Sequence, residues 1–176
     1  MDLQTKLRKA VRDINDFPVK GIIFRDITPV LQDISLVNEI IECFAQRAEE
    51  EKIDKIVGIE ARGFLIGVPL AIKLNIPFAP IRKKGKLPSK KVEAAYNLEY
   101  GSAIVEIHED AIKKGERILI IDDLLATGGT VNAANELIGK LEGVAVGAFF
   151  LIELEGMHGR DSIKNKDLDV FSIIKY

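Results

Sequence analysis

Two acidic residues stand side by side, Asp122 and Asp123, directly after the apolar run Ile118, Leu119, Ile120 and Ile121. Leu124 and Leu125 follow, then Ala126, Thr127, Gly128, Gly129 and Thr130. The pattern predicts a buried strand that delivers paired carboxylates to a sheet edge. A small, hydroxylated, glycine-rich turn then opens a helix over about residues 130–141. Backbone N–H groups in such a turn converge on an anion, and the positive end of the helix dipole favours negative charge there. Gly128 and Gly129 let the backbone approach a ligand without Cβ interference. Thr127 and Thr130 add hydroxyl donors. The acids narrow the ligand class. A bare phosphate gains nothing from two carboxylates, whereas a sugar phosphate has hydroxyls that can donate to them. Acids and glycines also occur in ordinary strand–turn–helix corners; it is the full ordered context that argues for a site. Neither a P-loop sequence nor a G-x-G-x-x-G fingerprint is present, which counts against an NTPase or a Rossmann dehydrogenase.

A second corner of the same kind lies upstream. The β-branched run Lys55–Ile59 ends in Glu60, Ala61, Arg62 and Gly63, and an apolar helix follows over residues 64–74, stopped by Asn75 and Pro77. Arg62 offers a planar fork of donors to phosphate oxygens, although an arginine after a strand is usually just solvated. Arg82, Lys83, Lys84, Lys86, Lys90 and Lys91 form a basic stretch in a chain of formal net charge -2. No aromatics interleave them as they do in single-strand nucleic-acid binders. The stretch therefore reads as a solvated loop over residues 83–95, or as the seat of a polyanion. Residues 96–100 and 103–108 read as two strands joined around Gly101 and Ser102.

Other elements must position these corners. Leu3, Leu7, Ala10, Val11 and Ile14 recur at helical spacing and predict a helix over residues 1–14. Residues 21–26 read as extended. Ser35 is the expected N-cap of a second helix whose inward stripe is Val37, Ile40, Ile41, Phe44 and Ala48. Further strands are expected at 78–81, 144–152 and 170–174. Strands alternating with helices imply an α/β fold with a mostly parallel twisted sheet flanked by helices, its ligands beyond the carboxyl ends of the strands. At 176 residues, a single domain is the simplest organisation. The composition, 47% hydrophobic and 30% charged, suits a soluble globular protein and gives no reason to expect a nucleic-acid or membrane partner. One cysteine, Cys43, and an N-terminus without a signal-peptide core make the cytoplasm the default. Cys43 reads as a packing residue, and the two distant histidines, His108 and His158, do not suggest zinc.

Four segments, in order along the chain, resemble the type I phosphoribosyltransferase family in its adenine-specific branch. They are Phe17 to Pro29, Gly58 to Phe64, Arg82 to Pro88 with Tyr96 to Gly101, and Ile121 to Thr130. The resemblance implies a Mg²⁺-dependent transfer of 5-phosphoribose from phosphoribosyl pyrophosphate to adenine, giving AMP and pyrophosphate. It assigns Ala126, Thr127, Gly128, Gly129 and Thr130 to the 5-phosphate and Asp122 and Asp123 to the ribose. Glu60, Ala61 and Arg62 take the pyrophosphate, joined by Arg82, Lys83 and Lys86 from a flexible loop over about residues 83–102. A non-proline cis bond is implied at Glu60–Ala61. Glu99 is the expected general acid, with Arg62 and Tyr100 beside it in catalysis. For the base, the Ile23 carbonyl and Arg25 amide would pair with adenine, and Phe24 and Leu154 would stack on its faces. Residues 1–34 with the C-terminal segment form a small hood. Mg²⁺ would be held mainly by substrate and water, with no direct protein ligand assigned. The family also implies a homodimer, with Arg82 serving a neighbouring site. Another purine base as acceptor, or a non-catalytic regulator that senses the sugar phosphate, are the alternatives.

Overall fold

The computed structural model describes residues 1–97 and 102–176, and the chain divides into two units, Met1–Phe44 and Ala45–Tyr176. In the N-terminal unit, helix α1 (Leu3–Ala10) is capped by Asp2, which accepts the Thr5 N–H at 2.8 Å. The helix ends four residues short of the expected position 14. Val11 is already extended, and strand β1 (Arg12–Asn15) pairs antiparallel with β2 (Ile23–Asp26). Cross-strand charge explains the change. Arg12 lies opposite Asp26 and Asp13 opposite Arg25, and each couple forms an ion pair. A short helix α2 (Thr28–Leu31), not anticipated from sequence, follows at once. Asp26 accepts the Thr28 hydroxyl at 2.6 Å and its N–H at 2.8 Å; these bonds, with Arg12, hold the Asp26 carboxyl at about 2. Helix α3 (Ile34–Ala48) starts a residue ahead of Ser35, because Asp33 accepts the Leu36 N–H at 3.1 Å and is the effective cap.

The larger unit runs β3 (Lys55–Ile59), α4 (Glu60–Leu74), β4 (Phe78–Lys83), β5 (Lys91–Asn97), β6 (Ser102–His108), β7 (Arg117–Leu125), α5 (Gly129–Lys140), β8 (Val144–Glu153), α6 (Gly159–Ser162) and β9 (Asp169–Lys175). Its seven-stranded sheet has the order β5-β6-β4-β3-β7-β8-β9. β4, β3, β7, β8 and β9 are parallel, and β5 and β6 form an antiparallel hairpin at the β4 edge. Ile118 to Ile121 of β7 are fully buried, as a central parallel strand requires. Ile118 and Ile120 join a core with Val131, Ala134, Leu137 and Ile138 of α5, while α4 packs on β3, β4 and β7.

The basic stretch is more ordered than its composition suggests. Residues 83–95 do not form one long loop: β4 includes Lys83, β5 begins at Lys91, and only residues 84–90 connect them. Val92, Ala94 and Tyr96 turn toward the core in alternation, a period-2 signal diluted by lysine and alanine. Fully buried Glu106 anchors the connection. It accepts the N–H groups of Lys86 at 2.9 Å and Leu87 at 2.7 Å, and Lys91 Nζ lies 3.3 Å from its second oxygen. Burial alone would raise this carboxyl. The turn amides and Lys91 overcome that and hold it below its ordinary value.

The first turn of α4 touches β7 without side-chain separation. A Cβ on Gly63 would come within 2.6 Å of the Ile121 carbonyl oxygen. Gly63→Ala is therefore expected to force the two elements apart and cost about 1–3 kcal/mol, as overpacking does, measurable as a lower midpoint in urea unfolding.

Candidate active site

Helices α4 and α5 both begin where a parallel strand ends, and neither start is capped by a side chain of its N-cap residue, Ile59 or Gly128. Two sets of first-turn N–H groups thus face the carboxyl edge of the sheet. A cavity of about 380 Å³ opens there, lined by Glu60, Ala61, Arg62, Lys83, Tyr96, Asp122, Asp123 and Thr130 among others. Residues predicted from three separate stretches of sequence, 60–62, 83 and 122–130, meet in this one space.

Its electrostatics are set by the two aspartates. Asp123 is almost wholly buried, and Arg62 Nε lies 3.1 Å from its Oδ2. The Asp123 N–H donates to Asp122 Oδ1 at 2.9 Å. Burial, and then the charge of Asp123, push the Asp122 carboxyl well above the ordinary range. Burial also raises Asp123, with Arg62 opposing. Burial raises the Tyr96 phenol, helped by Asp122 and Glu60, so its hydroxyl stays protonated and can donate. Tyr96 opens the segment Tyr96 to Gly101, and the resemblance assigns it no role. Here it lines this cavity and a neighbouring one of about 540 Å³, which Thr127 and Gly129 also line.

Several expected residues have other geometry. The only cis bond among the described residues is Phe17–Pro18, so the cis bond expected at Glu60–Ala61 is not found. The corner is turned instead by Glu60 in the left-handed region, φ 48°. The Glu60 carboxylate accepts the Lys83 N–H and lies 3.5 Å from Arg82 Nε, tying the end of β4 to the start of α4. Lys83 lines the cavity. Arg82 does not: its guanidinium lies over the Phe64 ring at 5.5 Å. Lys86 is exposed, and its amide is held by Glu106. Gly128, at φ 79°, makes the turn from β7 into α5. In the N-terminal unit Ile23 is exposed, Phe24 packs edge-on against Phe17 at 5.3 Å, and Arg25 pairs with Asp13. Among the described residues β2 pairs with β1 in a two-stranded sheet. Leu154 follows β8, its N–H donating to the Leu125 carbonyl at 2.9 Å. Glu99 and Tyr100 lie outside the described residues.

The fold and the site define a phosphoribosyltransferase-type corner. Residues 30–176 match the family model of the phosphoribosyl transferase domain, and the chain belongs to that family. It is 54% identical over 170 residues to the adenine phosphoribosyltransferase of Halothermothrix orenii, covering 97% of this chain and 99% of the relative. The crystal structure of adenine phosphoribosyltransferase from Thermoanaerobacter pseudethanolicus superposes with a TM-score of 0.94 at 46% identity, covering 98% of this chain and 99% of that one. The Saccharomyces cerevisiae adenine phosphoribosyltransferase, solved with an imino-altritol bisphosphate and adenine, gives a TM-score of 0.92 at 39% identity, covering 98% of each chain.

The raised Asp122 carboxyl has a consequence for stability. A carboxyl whose folded value lies above its unfolded one binds more protons when folded, so it costs stability once pH exceeds the unfolded value. Asp122→Asn should therefore raise Tm at neutral pH, by roughly 2–4 °C per kcal/mol relieved. The gain should shrink as pH falls to where both states are protonated. Thermal melts of wild type and variant at several pH values check this.

Proposed function

We propose that the chain transfers 5-phosphoribose from phosphoribosyl pyrophosphate to N9 of adenine, forming AMP and pyrophosphate. The observation that carries this reading is the pair of uncapped helix starts at neighbouring strand ends, with two carboxylates at the cavity they share. A doubly phosphorylated sugar has that arrangement of charges: an anion at each end and hydroxyls between. The turn at 126–130 takes the 5-phosphate, and Ala61, Arg62 and Lys83 take the pyrophosphate. Asp122 and Asp123 accept hydrogen bonds from the ribose hydroxyls.

Among the described residues no group of three or more His, Cys, Asp or Glu is placed to hold a metal ion. The donor set, two adjacent carboxylates beside a pyrophosphate seat, suits a hard cation that keeps substrate and water oxygens around it. Mg²⁺, when bound, would neutralise charge on the departing pyrophosphate. The protein's share is position and electrostatics at C1 of the ribose as pyrophosphate leaves. Glu99 is proposed as the group that handles the purine proton, with Tyr100 beside it. Ile23, Phe24 and Arg25 are proposed to recognise the base. A carbonyl acceptor and an amide donor match the amino group and bare N1 of adenine and mismatch the O6 and N1–H of hypoxanthine.

Leu65, Val68 and Ile72 of α4 are 51%, 40% and 75% exposed and share one helix face. That apolar stripe supports a homodimer, with Arg82 on Phe64 at its border. No helix among the described residues is long and apolar enough to cross a membrane. The lone cysteine, Cys43, supports a reducing compartment, and the cytoplasm is proposed on that ground.

The protein incubated with adenine, phosphoribosyl pyrophosphate and Mg²⁺ should form AMP, with kcat/KM for adenine on the order of 10,000-fold above that for hypoxanthine. No AMP, or IMP formed equally fast, would overturn the reading. Separately, Ile72→Asp should shift the species in sedimentation velocity from dimer to monomer.

A further inference from the structure

The segment that follows β8 forms a wall behind the turn at 126–130. Its base is a two-point ion pair: Arg160 Nε and Nη2 donate to the two carboxylate oxygens of Glu153 at 2.9 and 2.6 Å, and Nη1 donates to the Val170 carbonyl at 2.6 Å. This fixes α6 against the ends of β8 and β9. From α6 two contacts reach the turn. Gly159 lies so close to Ala126 that a Cβ there would collide with the Ala126 carbonyl oxygen. Ser162 Oγ donates to the Thr127 carbonyl, sharing its proton with the Gly159 carbonyl at 2.8 Å. Asn132 of α5 closes the arrangement, donating from Nδ2 to the Ser162 carbonyl at 3.0 Å and accepting the Lys164 N–H at 2.9 Å.

The Ser162 bond has a directional effect. In a trans peptide the C=O and the next N–H point in opposite directions. With the Thr127 carbonyl held toward Ser162, the Gly128 N–H faces away from that hydroxyl. A Cβ at Gly128 would meet the Ser162 hydroxyl and the Gly159 carbonyl, so the turn has no slack toward this wall.

We propose that Ser162 is a positioning residue for the 5-phosphate: its hydroxyl is engaged by the Thr127 and Gly159 carbonyls, and it acts by fixing the Thr127–Gly128 peptide so that its N–H meets the anion. The proposal rests on the assignment of the 126–130 turn to that phosphate. Calorimetric titration of the full chain with ribose 5-phosphate, and separately with pyrophosphate and Mg²⁺, tests both. Ser162→Ala should bind ribose 5-phosphate roughly three- to tenfold more weakly, the loss of one ordinary hydrogen bond, with pyrophosphate affinity unchanged. Ser162→Thr, which keeps the hydroxyl at an exposed position, should restore most of the affinity. In turnover, KM for phosphoribosyl pyrophosphate should rise while KM for adenine stays put. Unchanged ribose 5-phosphate binding in Ser162→Ala overturns the proposal, and so does an equal loss for both ligands, which marks a merely structural role. A wild type that binds pyrophosphate but ignores ribose 5-phosphate overturns the assignment of the turn, and the proposal with it.

Discussion

Asp122 and Asp123 lie near the end of a strand whose preceding four residues are fully buried, so folding buries one carboxylate, Asp123, beside a second that is half-buried. Arg62 compensates one of them. Burial and the charge of Asp123 leave Asp122 with a raised carboxyl, an arrangement that works against folding and marks the pair as a candidate ligand site. The surrounding architecture can be understood as what holds this pair in place. The α/β sheet puts β7 in the middle of its five parallel strands, and Gly63 lets α4 approach β7 closely enough for Arg62 to reach. Glu60 ties the end of β4 to the same corner, which brings Lys83 to the cavity.

The two helix starts have different surroundings although both face the sheet edge. The α4 corner is charged, with Glu60, Arg62 and Lys83 around it. The α5 corner is nearly free of charged side chains, built from small residues and backed by α6. A corner with guanidinium and ammonium groups suits an anion that departs with a cation. A corner made of backbone amides suits an anion that stays attached to the reacting sugar. Tyr96, on the wall common to both cavities, stands between these two environments.

Much of this was legible in the residues. The runs Lys55–Ile59 and Arg117–Ile121 announced buried strands, and the glycines and acids after them announced what those strands carry; the second strand runs on through the acids to Leu125. What escaped had non-local causes. Val11 and Ile14 continue a helical spacing, yet Arg12 and Asp13 find their partners across a hairpin in Asp26 and Arg25, and the strand wins. β5 was hidden because alanine and lysine dilute an alternation that only packing reveals. Glu60 is an acid in an anion corner, which local pattern reads as a ligand contact; its bond to the Lys83 amide depends on where β4 ends. Ser162 had no local signal at all, being separated by more than thirty positions from the turn it supports.

Glu106 grips the connection between β4 and β5 through the main chain, by the amides of Lys86 and Leu87, rather than through side chains. The shape of that connection is therefore largely indifferent to which side chains it displays. Lys84, Ser89 and Lys90 can drift in the course of evolution without altering the path of the backbone beneath them. A lineage can thus retune the charge of this connection while inheriting the same scaffold, provided the acid under it is kept.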